Sequence, residues 1–419
     1  MRPTRRRLRR RRHSATWPRR ARPPRRRRGA CGWDGRSATR TTWRGTGGAR
    51  SRRRAPATPG SGARCRRAGS TGSRRATCGR ESDVEILNDT PYVAEPNVML
   101  NPRGEETLIV TVKGTWAFAD DGTLQPAEEP LPIVVADEFA GEPGASSVTR
   151  ASEIGLPRPA TDVVLLGSAR ARRGEKSVVV TLQCGPVKKS VRVTGARRWS
   201  SAFGLPRLSG AEPVDGTALL WENAFGGTDE TARAWWPENP VGRGFRGKGS
   251  KSKWDGTEAP NLEHPAHPIG GPGEKGVTAG FGYVAPHWQP RVAYAGTYDD
   301  AWLERRAPLL PDDFDPRFQH VAPADQIVPG RLRGGEPVAV EGAGPRGALR
   351  GALPREFPVA TVLFEDEEAG LPLPLDEVAV HADAGLLTLL WKGALSVERR
   401  VHRVEGIEIA IAASRRSRA

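Results

Sequence analysis

The segment Gly242–Gly249, with the sequence GRGFRGKG, comes nearest in this 419-residue chain to a phosphate-binding loop. Gly242, Gly244 and Gly247 have the G-x-G-x-x-G spacing, and Gly242, Gly247 and Lys248 nearly satisfy a P-loop, except that Gly249 stands where that motif needs a hydroxyl. Both motifs need a strand before the loop and a helix after it, because backbone amides and the helix N-terminus bind the phosphates together. Prolines precede this segment, and no helix signal follows it. We therefore predict a shaped glycine loop and no nucleotide cofactor.

Other side chains that could do chemistry lack the partners that such chemistry needs. His264 and His267 could ligate zinc, but no third ligand is evident and two prolines make their segment a rigid turn. The sequence contains no G-x-S-x-G and no H-E-x-x-H motif after residue 80. A glycosidase pair would need carboxylates at a defined separation, which a sequence does not define for these acids: Glu222, Asp229, Asp299, Asp312 and Asp313. We predict no catalytic centre, no metal site and no cofactor.

The first eighty residues differ in composition from the rest of the chain. They hold 28 of the 65 basic residues, all of them arginine, and only one of the 48 acids, Asp34. The remainder therefore has 37 basic and 47 acidic residues and a net charge of −10, although the whole chain has a charge of +17. Residues 1–80 also contain no Val, Ile, Phe or Tyr. Such a segment cannot offset a backbone ordering entropy of about 1–2 kcal/mol per residue, so we predict that it is disordered.

The arginine-rich segment allows two interpretations. Runs such as Arg5–Arg7 and Arg25–Arg28 would neutralise phosphates, which predicts a salt-dependent affinity for nucleic acid. Alternatively, a start site placed too far upstream in a GC-rich gene would produce the same mixture of Arg, Pro, Ala, Gly, Trp and Cys without lysine. We favour the second interpretation, and expect a nucleic-acid partner only if residues 1–80 belong to the native protein.

Cysteine usage and hydropathy indicate the compartment. Cys31, Cys65 and Cys78 lie in the first eighty residues, which leaves Cys184 without a disulfide partner in the rest of the chain. No apolar region follows the N-terminal arginines as it would in a signal peptide. No apolar run approaches the ~20 residues of a membrane-spanning helix. We expect a soluble, cytoplasmic protein with no membrane partner.

The periodicity of residues 84–412 is that of strands. Alternation of apolar and polar residues from Leu108 to Phe118 predicts a half-buried strand. Val178–Cys184 and Val187–Thr194 flank Gly185-Pro186 and predict a hairpin. The best helix signal is Tyr298–Arg306, where acids lead and arginines follow, as the helix dipole favours. Further predicted strands are Val163–Ala169, Val359–Phe364, Val378–His381, Leu386–Trp391 and Ile407–Ile411. We predict a mainly β fold with antiparallel, sandwich-like sheets and few short helices.

A region rich in Gly, Pro and Trp, at 222–320, separates two strand-rich blocks, at 84–220 and 325–412. Irregular regions of this length inside a compact domain are usually functional. An ordered region of this kind needs large aromatic side chains to pack it down, and we expect these to do so: Trp235, Trp236, Trp254, Phe281 and Trp288. The pattern leaves open whether the two blocks share a core or form two subdomains.

A series of short strings runs from Val84 to Ile411. It includes Lys113-Gly-Thr-Trp-Ala-Phe, Ala136-Asp-Glu-Phe, Trp221-Glu-Asn-Ala-Phe-Gly-Gly, Asn239-Pro-Val-Gly-Arg-Gly-Phe, Trp288-Gln-Pro-Arg and Leu390-Trp-Lys-Gly. In type and in order these strings resemble the "domain of unknown function 2169" family of bacterial type VI secretion gene clusters. The resemblance implies a single accessory domain at 84–412. It does not extend to residues 1–80.

The resemblance also implies a non-enzymatic adaptor or chaperone. Such a protein helps to load a toxic effector, often with a PAAR-type protein, onto the spike of the secretion machine, so its partners would be effector, PAAR-type or spike proteins. We expect the partner to contact the loops that hold Trp221, Glu222, Asn223, Phe225, Gly226, Gly227, Asn239, Pro240, Gly242, Arg243, Gly244, Phe245, Trp254 and Asn261.

Two alternatives stay open at this stage. The same loop residues could serve only to hold the long region in shape. The function could instead be that of a carbohydrate-binding or carbohydrate-acting β protein, which would use tryptophans as stacking platforms and the turn carboxylates.

Overall fold

The computed structural model describes residues 84–412, which form a mainly β protein, as the strand periodicity predicts. One α-helix, α1 (Asp300–Arg305), and five short 3₁₀ turns (Trp221–Asn223, Arg291–Tyr294, Pro316–Gln319, Ala324–Gln326 and Val401–Arg403) lie among these residues. The strands, in chain order, are β1 (Glu85–Asn88), β2 (Val93–Leu100), β3 (Glu106–Phe118), β4 (Leu124–Pro126), β5 (Glu138–Phe139), β6 (Val148–Arg150), β7 (Asp162–Leu166), β8 (Ser168–Arg170), β9 (Ser177–Cys184), β10 (Val187–Thr194), β11 (Trp199–Ala202), β12 (Leu205–Leu208), β13 (Asp215–Ala218), β14 (Phe225–Gly226), β15 (Thr228–Asp229), β16 (Ala234–Trp235), β17 (Arg243–Gly244), β18 (Leu262–Glu263), β19 (Pro337–Glu341), β20 (Ala348–Ala352), β21 (Phe357–Phe364), β22 (Glu368–Pro372), β23 (Leu375–His381), β24 (Leu386–Ser396) and β25 (Val404–Ala412).

The main sheet joins strands from both ends of the chain in the order β2-β3-β24-β23-β7, with β4 also paired to β3. Its pairs are antiparallel except for β23 and β7, which run parallel. The long central pair, β3 and β24, aligns Thr111 with Lys392 and Thr115 with Thr388. Because directly paired residues of a sheet point to the same face, these polar side chains share one face.

Two further sheets complete the core. The second sheet has the strand order β18-β10-β9-β19-β20, and all of its pairs are antiparallel. It contains the predicted hairpin of β9 and β10 around Gly185-Pro186. The order β1-β25-β21-β22 includes a parallel pair of β1 with β25. One hydrophobic cluster takes side chains from all three sheets, among them Leu389, Leu182 and Ile407. The two strand-rich blocks of the sequence therefore share sheets and core.

The prediction of a half-buried β3 was wrong, because both of its faces are covered. Thr111, Lys113 and Thr115 are 1%, 2% and 5% exposed. The segment after β4 lies over this polar face: Thr115 Oγ1 accepts a hydrogen bond from the Leu131 N–H at 3.0 Å, and Lys113 Nζ donates to the Pro132 carbonyl at 3.0 Å. Hydrogen bonds and charges thus replace the water that the alternating pattern predicted on this face.

Two other local predictions needed correction. The predicted strand Val163–Ala169 is divided into β7 and β8 at Gly167, whose φ of +132° ends the extended conformation. Trp235 does not pack the long region down, because it is 59% exposed. Phe281 and Trp288 are fully buried, as expected, and Trp236 and Trp254 are partly buried.

The predicted helix at Tyr298–Arg306 exists as α1 and is shorter than predicted. Asp299 caps it, because its Oδ1 accepts a hydrogen bond from the Trp302 N–H at 2.8 Å. No helix among residues 84–412 is long and apolar enough to cross a membrane. The predictions for residues 1–80 lie outside the described residues.

Candidate functional site

Asn239 holds together the two loops in which partner contacts were predicted. It is completely buried, and its Nδ2 donates to the carbonyl oxygens of Trp221 and Phe225 at 2.8 and 3.1 Å. Gly226 and Gly242 pack directly against it, because a Cβ on either residue would overlap Asn239 atoms. The glycines of this region therefore serve a close approach of two backbone segments. Neither this packing nor the non-helical residues that follow provides the strand–loop–helix of a nucleotide site.

Arg243 ties the same loops together from the solvent side. Its Nε donates to the Glu222 carbonyl at 2.7 Å, and its Nη2 donates to Asn223 Oδ1 at 3.0 Å. Its Nη1 lies 2.5 Å from Glu258 Oε2, and Glu258 also pairs with Arg198 at 2.7 Å. The guanidinium is thus fixed in position by three partners and still keeps 28% of its side-chain surface exposed.

A surface recess of about 470 Å³ lies over these arginines. Phe245 and Trp254 form part of its wall and pack against a small hydrophobic cluster that includes Trp199 and Phe225. Four of the lining residues are cations, and one is a carboxylate, Glu258: the cations are Arg198, Arg243, Arg246 and Lys253. The recess is therefore basic and aromatic, although residues 81–419 have a net negative charge.

A buried layer of charges on the polar face of the main sheet is the second chemical feature. Arg158 is 3% exposed and contacts three carboxylates, with Asp162, Asp376 and Glu377 at 3.3, 3.2 and 3.1 Å. Burial alone would lower the pKa of Arg158, but these three acids raise it, so Arg158 stays charged. On β3, Lys113 pairs with Glu153 at 2.6 Å.

A β-bulge explains how two consecutive acids reach Arg158. The pairing of β23 with β24 shifts register between Leu375 and Glu377, which leaves Asp376 as the extra residue. Successive side chains of a regular strand point to opposite faces, and a bulge allows neighbours to point to the same one. Asp376 and Glu377 can therefore both face Arg158.

Burial shifts the protonation of this layer. It raises the pKa of Glu377 to about 7, against the opposing effect of Arg158. The Tyr283 hydroxyl donates to Glu377 Oε1 at 3.0 Å, and burial holds the pKa of that phenol well above its usual value. Next to them His320 Nδ1 lies 2.6 Å from Asp162 Oδ1. These groups could exchange protons or hold a polar ligand where the layer meets a cavity.

With this geometry described, comparison with known proteins places the chain in a family. The sequence profile of a family described as "Uncharacterized protein conserved in bacteria (DUF2169)" matches residues 103–392. The chain belongs to this family. No curated protein and no solved structure matches it. The matched span of this DUF2169 chain contains the recess, all of β3 with the first part of β24, and the buried charges from Lys113 to Lys392.

The residues predicted for partner binding divide into two groups in this DUF2169 member. One group is buried and holds the loops: Trp221, Phe225, Gly226, Gly227, Asn239 and Asn261. The other keeps part of its surface accessible: Glu222, Asn223, Pro240, Gly242, Arg243, Gly244, Phe245 and Trp254. Of this second group, Arg243, Gly244, Phe245 and Trp254 line the recess. The Glu222 carboxylate accepts hydrogen bonds from the N–H and the hydroxyl of Ser147.

The buried charged layer was missed by reasoning from the sequence. Its one local signal is Asp376-Glu377 directly before the apolar run Val378-Ala-Val, because two acids at the start of a buried strand need partners. In the predicted histidine turn the rings of His264 and His267 lie with centroids 4.9 Å apart and their planes tilted by 38°. Within residues 84–412 no group of three His, Cys, Asp or Glu side chains is placed to hold a metal ion.

Proposed function

We propose that this protein is a non-enzymatic adaptor of the bacterial type VI secretion system. It would bind an effector or a PAAR-type protein and assist its loading onto the spike. Support comes from the short strings whose order resembles that family and from the basic, aromatic recess at Arg198, Arg243 and Trp254. The recess is the observation that carries the proposal.

The chemistry of the recess suits a protein partner. Aromatic and arginine side chains are enriched among residues that dominate protein–protein binding energy, and rigid anchors lose little entropy on binding. Phe245 and Trp254 are held by the small cluster that they pack against, and Arg243 is held by the Glu222 carbonyl, Asn223 and Glu258. An acidic segment that carries an aromatic or aliphatic side chain would match this surface in charge and shape.

Binding of purified full-length protein to the effector, PAAR-type and spike proteins encoded beside its gene tests the proposal. Lys253→Glu and Trp254→Ala alter the recess, and we expect each to weaken binding by about tenfold or more. Matched controls exist in the same region: Lys251 is exposed and does not line the recess, and Trp235 is a more exposed tryptophan outside it. Lys251→Glu and Trp235→Ala should bind like the unaltered protein.

Two results would contradict the proposal at different levels. Equal binding by all four variants, with unchanged thermal unfolding, would remove the recess from the interface. Binding to none of those proteins, together with Trp254-dependent binding to a polysaccharide, would replace the adaptor with the carbohydrate-binding alternative.

A further inference from the structure

A second cavity, of about 510 Å³, opens beside the buried charged layer and is separate in its lining from the recess. Arg158, Arg291 and Lys392 contribute cationic side chains to its wall. Much of the remaining wall is apolar, with Val135, Phe139 and Leu156 among its residues. The cavity thus combines positive charge with hydrophobic surface.

Arg291 brings to this cavity a charge that no carboxylate contacts directly. Its Nε and Nη1 donate to the carbonyl oxygens of Phe318 and Val284, both at 2.9 Å. Within the described part of the chain no carboxylate lies within 4.0 Å of its guanidinium, and its Nη2 makes no hydrogen bond there. Burial and the charge of Arg158 lower the pKa of Arg291 to about 10, against the opposing effect of Asp137 and Asp162, and this value still leaves Arg291 protonated at neutral pH. A partly buried cation without a carboxylate in contact favours an anion beside it.

Lys392 is in a similar position. It is 2% exposed, and its nearest carboxylate oxygen, Asp376 Oδ2, is 3.5 Å from Nζ, which is long for a hydrogen bond. Asp376 is also shared with Arg158 and Arg331, at 3.2 and 3.1 Å. One carboxylate therefore serves three cations, and the Lys392 ammonium lines the cavity with donors to spare.

The wall of the cavity carries more cations than carboxylates. Arg158, Arg291 and Lys392 line it, and within the described part of the chain Asp137 is the one carboxylate among its lining residues. Asp137 Oδ1 accepts a hydrogen bond from the Ser152 N–H at 2.7 Å. The other carboxylates of the layer, Glu153, Asp162, Asp376 and Glu377, lie behind the wall and do not line the cavity. The excess of positive charge is therefore at the cavity surface.

We propose that this cavity binds a carboxylate carried on an apolar group. Arg291 and Lys392 would hold the carboxylate, and Val135, Phe139 and Leu156 would pack against the apolar group. Arg158 would remain paired with Asp162, Asp376 and Glu377 and would not contact the carboxylate of the ligand. A volume of about 510 Å³ suits a ligand of small-molecule size or the last one or two residues of a polypeptide, since ligand pockets span ~300–1,000 Å³.

Two sources share this chemistry, the C-terminus of a polypeptide and a free aliphatic acid. Calorimetric titration of the full chain would use a hexapeptide ending in leucine with a free carboxylate, the same peptide with a C-terminal amide, and decanoate. We expect one of the two carboxylates to bind and the amide to bind at least about tenfold more weakly. The tighter-binding carboxylate shows whether the natural ligand is the C-terminus of a polypeptide or a free aliphatic acid.

Two sets of variants test the location of the site. Arg291→Gln removes the cation that no carboxylate contacts, and we expect it to weaken carboxylate binding by about tenfold or more. Val135 is 60% exposed, so its replacement should not disturb folding. Val135→Asp adds a negative charge to that of Asp137 at the cavity and should weaken binding similarly. Asn has the shape of Asp without its charge, so the Val135→Asn variant should bind nearly as the unaltered protein does.

The proposal is wrong if neither carboxylate binds at 10 mM, or if the amide binds as tightly as the carboxylate. It is also wrong if Val135→Asp and Val135→Asn bind alike and Arg291→Gln has no effect. These measurements use no secretion partner, so their outcome is independent of the adaptor proposal.

Discussion

Arg158 contacts Asp376 twice, through its backbone and through its side chain. The Arg158 N–H donates to Asp376 Oδ1 at 2.9 Å, and its Nη1 lies 3.2 Å from Asp376 Oδ2. The two residues are 218 positions apart in the chain, and both are nearly inaccessible to solvent. This contact joins the segment before β7 to the bulge in β23, and so fastens the two strand-rich parts of the sequence across the main sheet.

Removal of Arg158 should therefore be strongly destabilising. Arg158→Met leaves three buried carboxylates without their shared cation, and we expect the free energy of unfolding to fall by about 3–5 kcal/mol. Urea denaturation measures this change. Arg350→Met is the control, because the Arg350–Glu341 pair is largely exposed, and a loss below about 1 kcal/mol is expected there. Similar losses of unfolding free energy in both variants would show that the buried charged layer does not stabilise the main sheet.

The loops under the recess should be sensitive to a single methyl group. A Cβ at Gly242 would stand 2.6 Å from the Ala224 carbonyl oxygen and would overlap the Asn239 amide, so Gly242→Ala should cost about 1–3 kcal/mol of unfolding free energy. Gly210→Ala meets no atom within 4 Å and should change stability by less than about 0.5 kcal/mol. Thermal unfolding compares the two. A neutral Gly242→Ala would contradict the close packing of the loops.

Stability should depend on pH through Glu377. Its pKa is about 7 in the folded protein and near 4.5 when exposed, so between these values the folded state keeps a proton that the unfolded state loses. The contribution of Glu377 to stability is therefore fully present below about pH 4.5 and falls as the pH rises to about 7, by at most about 1.4 kcal/mol per pH unit. The groups that set this pKa are Arg158, Tyr283, Glu153 and Asp162.

Glu377→Gln isolates that effect, because every other group titrates in both proteins. Between pH 5 and pH 7.5, urea denaturation should show that the unaltered protein loses roughly 2–3 kcal/mol relative to the Gln variant. An identical pH dependence in the two proteins would mean that Glu377 is ionised over the whole range.

Cys184 should be chemically inert in the folded protein. It is fully buried in β9, and burial, aided by Glu336, raises the pKa of its thiol to about 12. At pH 8 its thiolate population is about a thousandfold below that of an ordinary cysteine, and the thiolate is the reactive species. Iodoacetamide labelling followed by mass spectrometry of the Cys184 peptide should show negligible reaction in buffer and complete reaction in urea. Fast labelling of the native peptide would indicate local opening of β9.

Several elements could be predicted because their signals are local. The β9–β10 hairpin follows from two alternating runs around Gly185-Pro186, and α1 follows from acids before and arginines after a short apolar stretch. Asp299, one of the acids at the start of the predicted helix, acts as the N-cap, one residue outside the helix. Such boundaries shift by a residue because the terminal turn depends on capping geometry as well as on composition.

The candidate sites depended on contacts that no local pattern contains. Trp221, Phe225 and Asn239 stood out in the sequence, and the structure places all three in the interior, where Asn239 satisfies the backbone carbonyls of the other two. Arg243 and Trp254 border the recess because folding brings residues 198, 243 and 254 to one surface. Spacing along the chain does not specify that convergence.

By itself the sequence determined that residues 84–412 form a mainly β fold with few helices, because apolar periodicity reports which local conformation buries side chains. The tertiary structure decided what covers each strand. The polar face of β3 looks solvent-exposed as a pattern, yet Lys113 lies against Glu153, and Lys392 on the neighbouring strand lies near Asp376. A charge enters the interior only where distant residues supply its partners, and those partners meet only after the chain has folded.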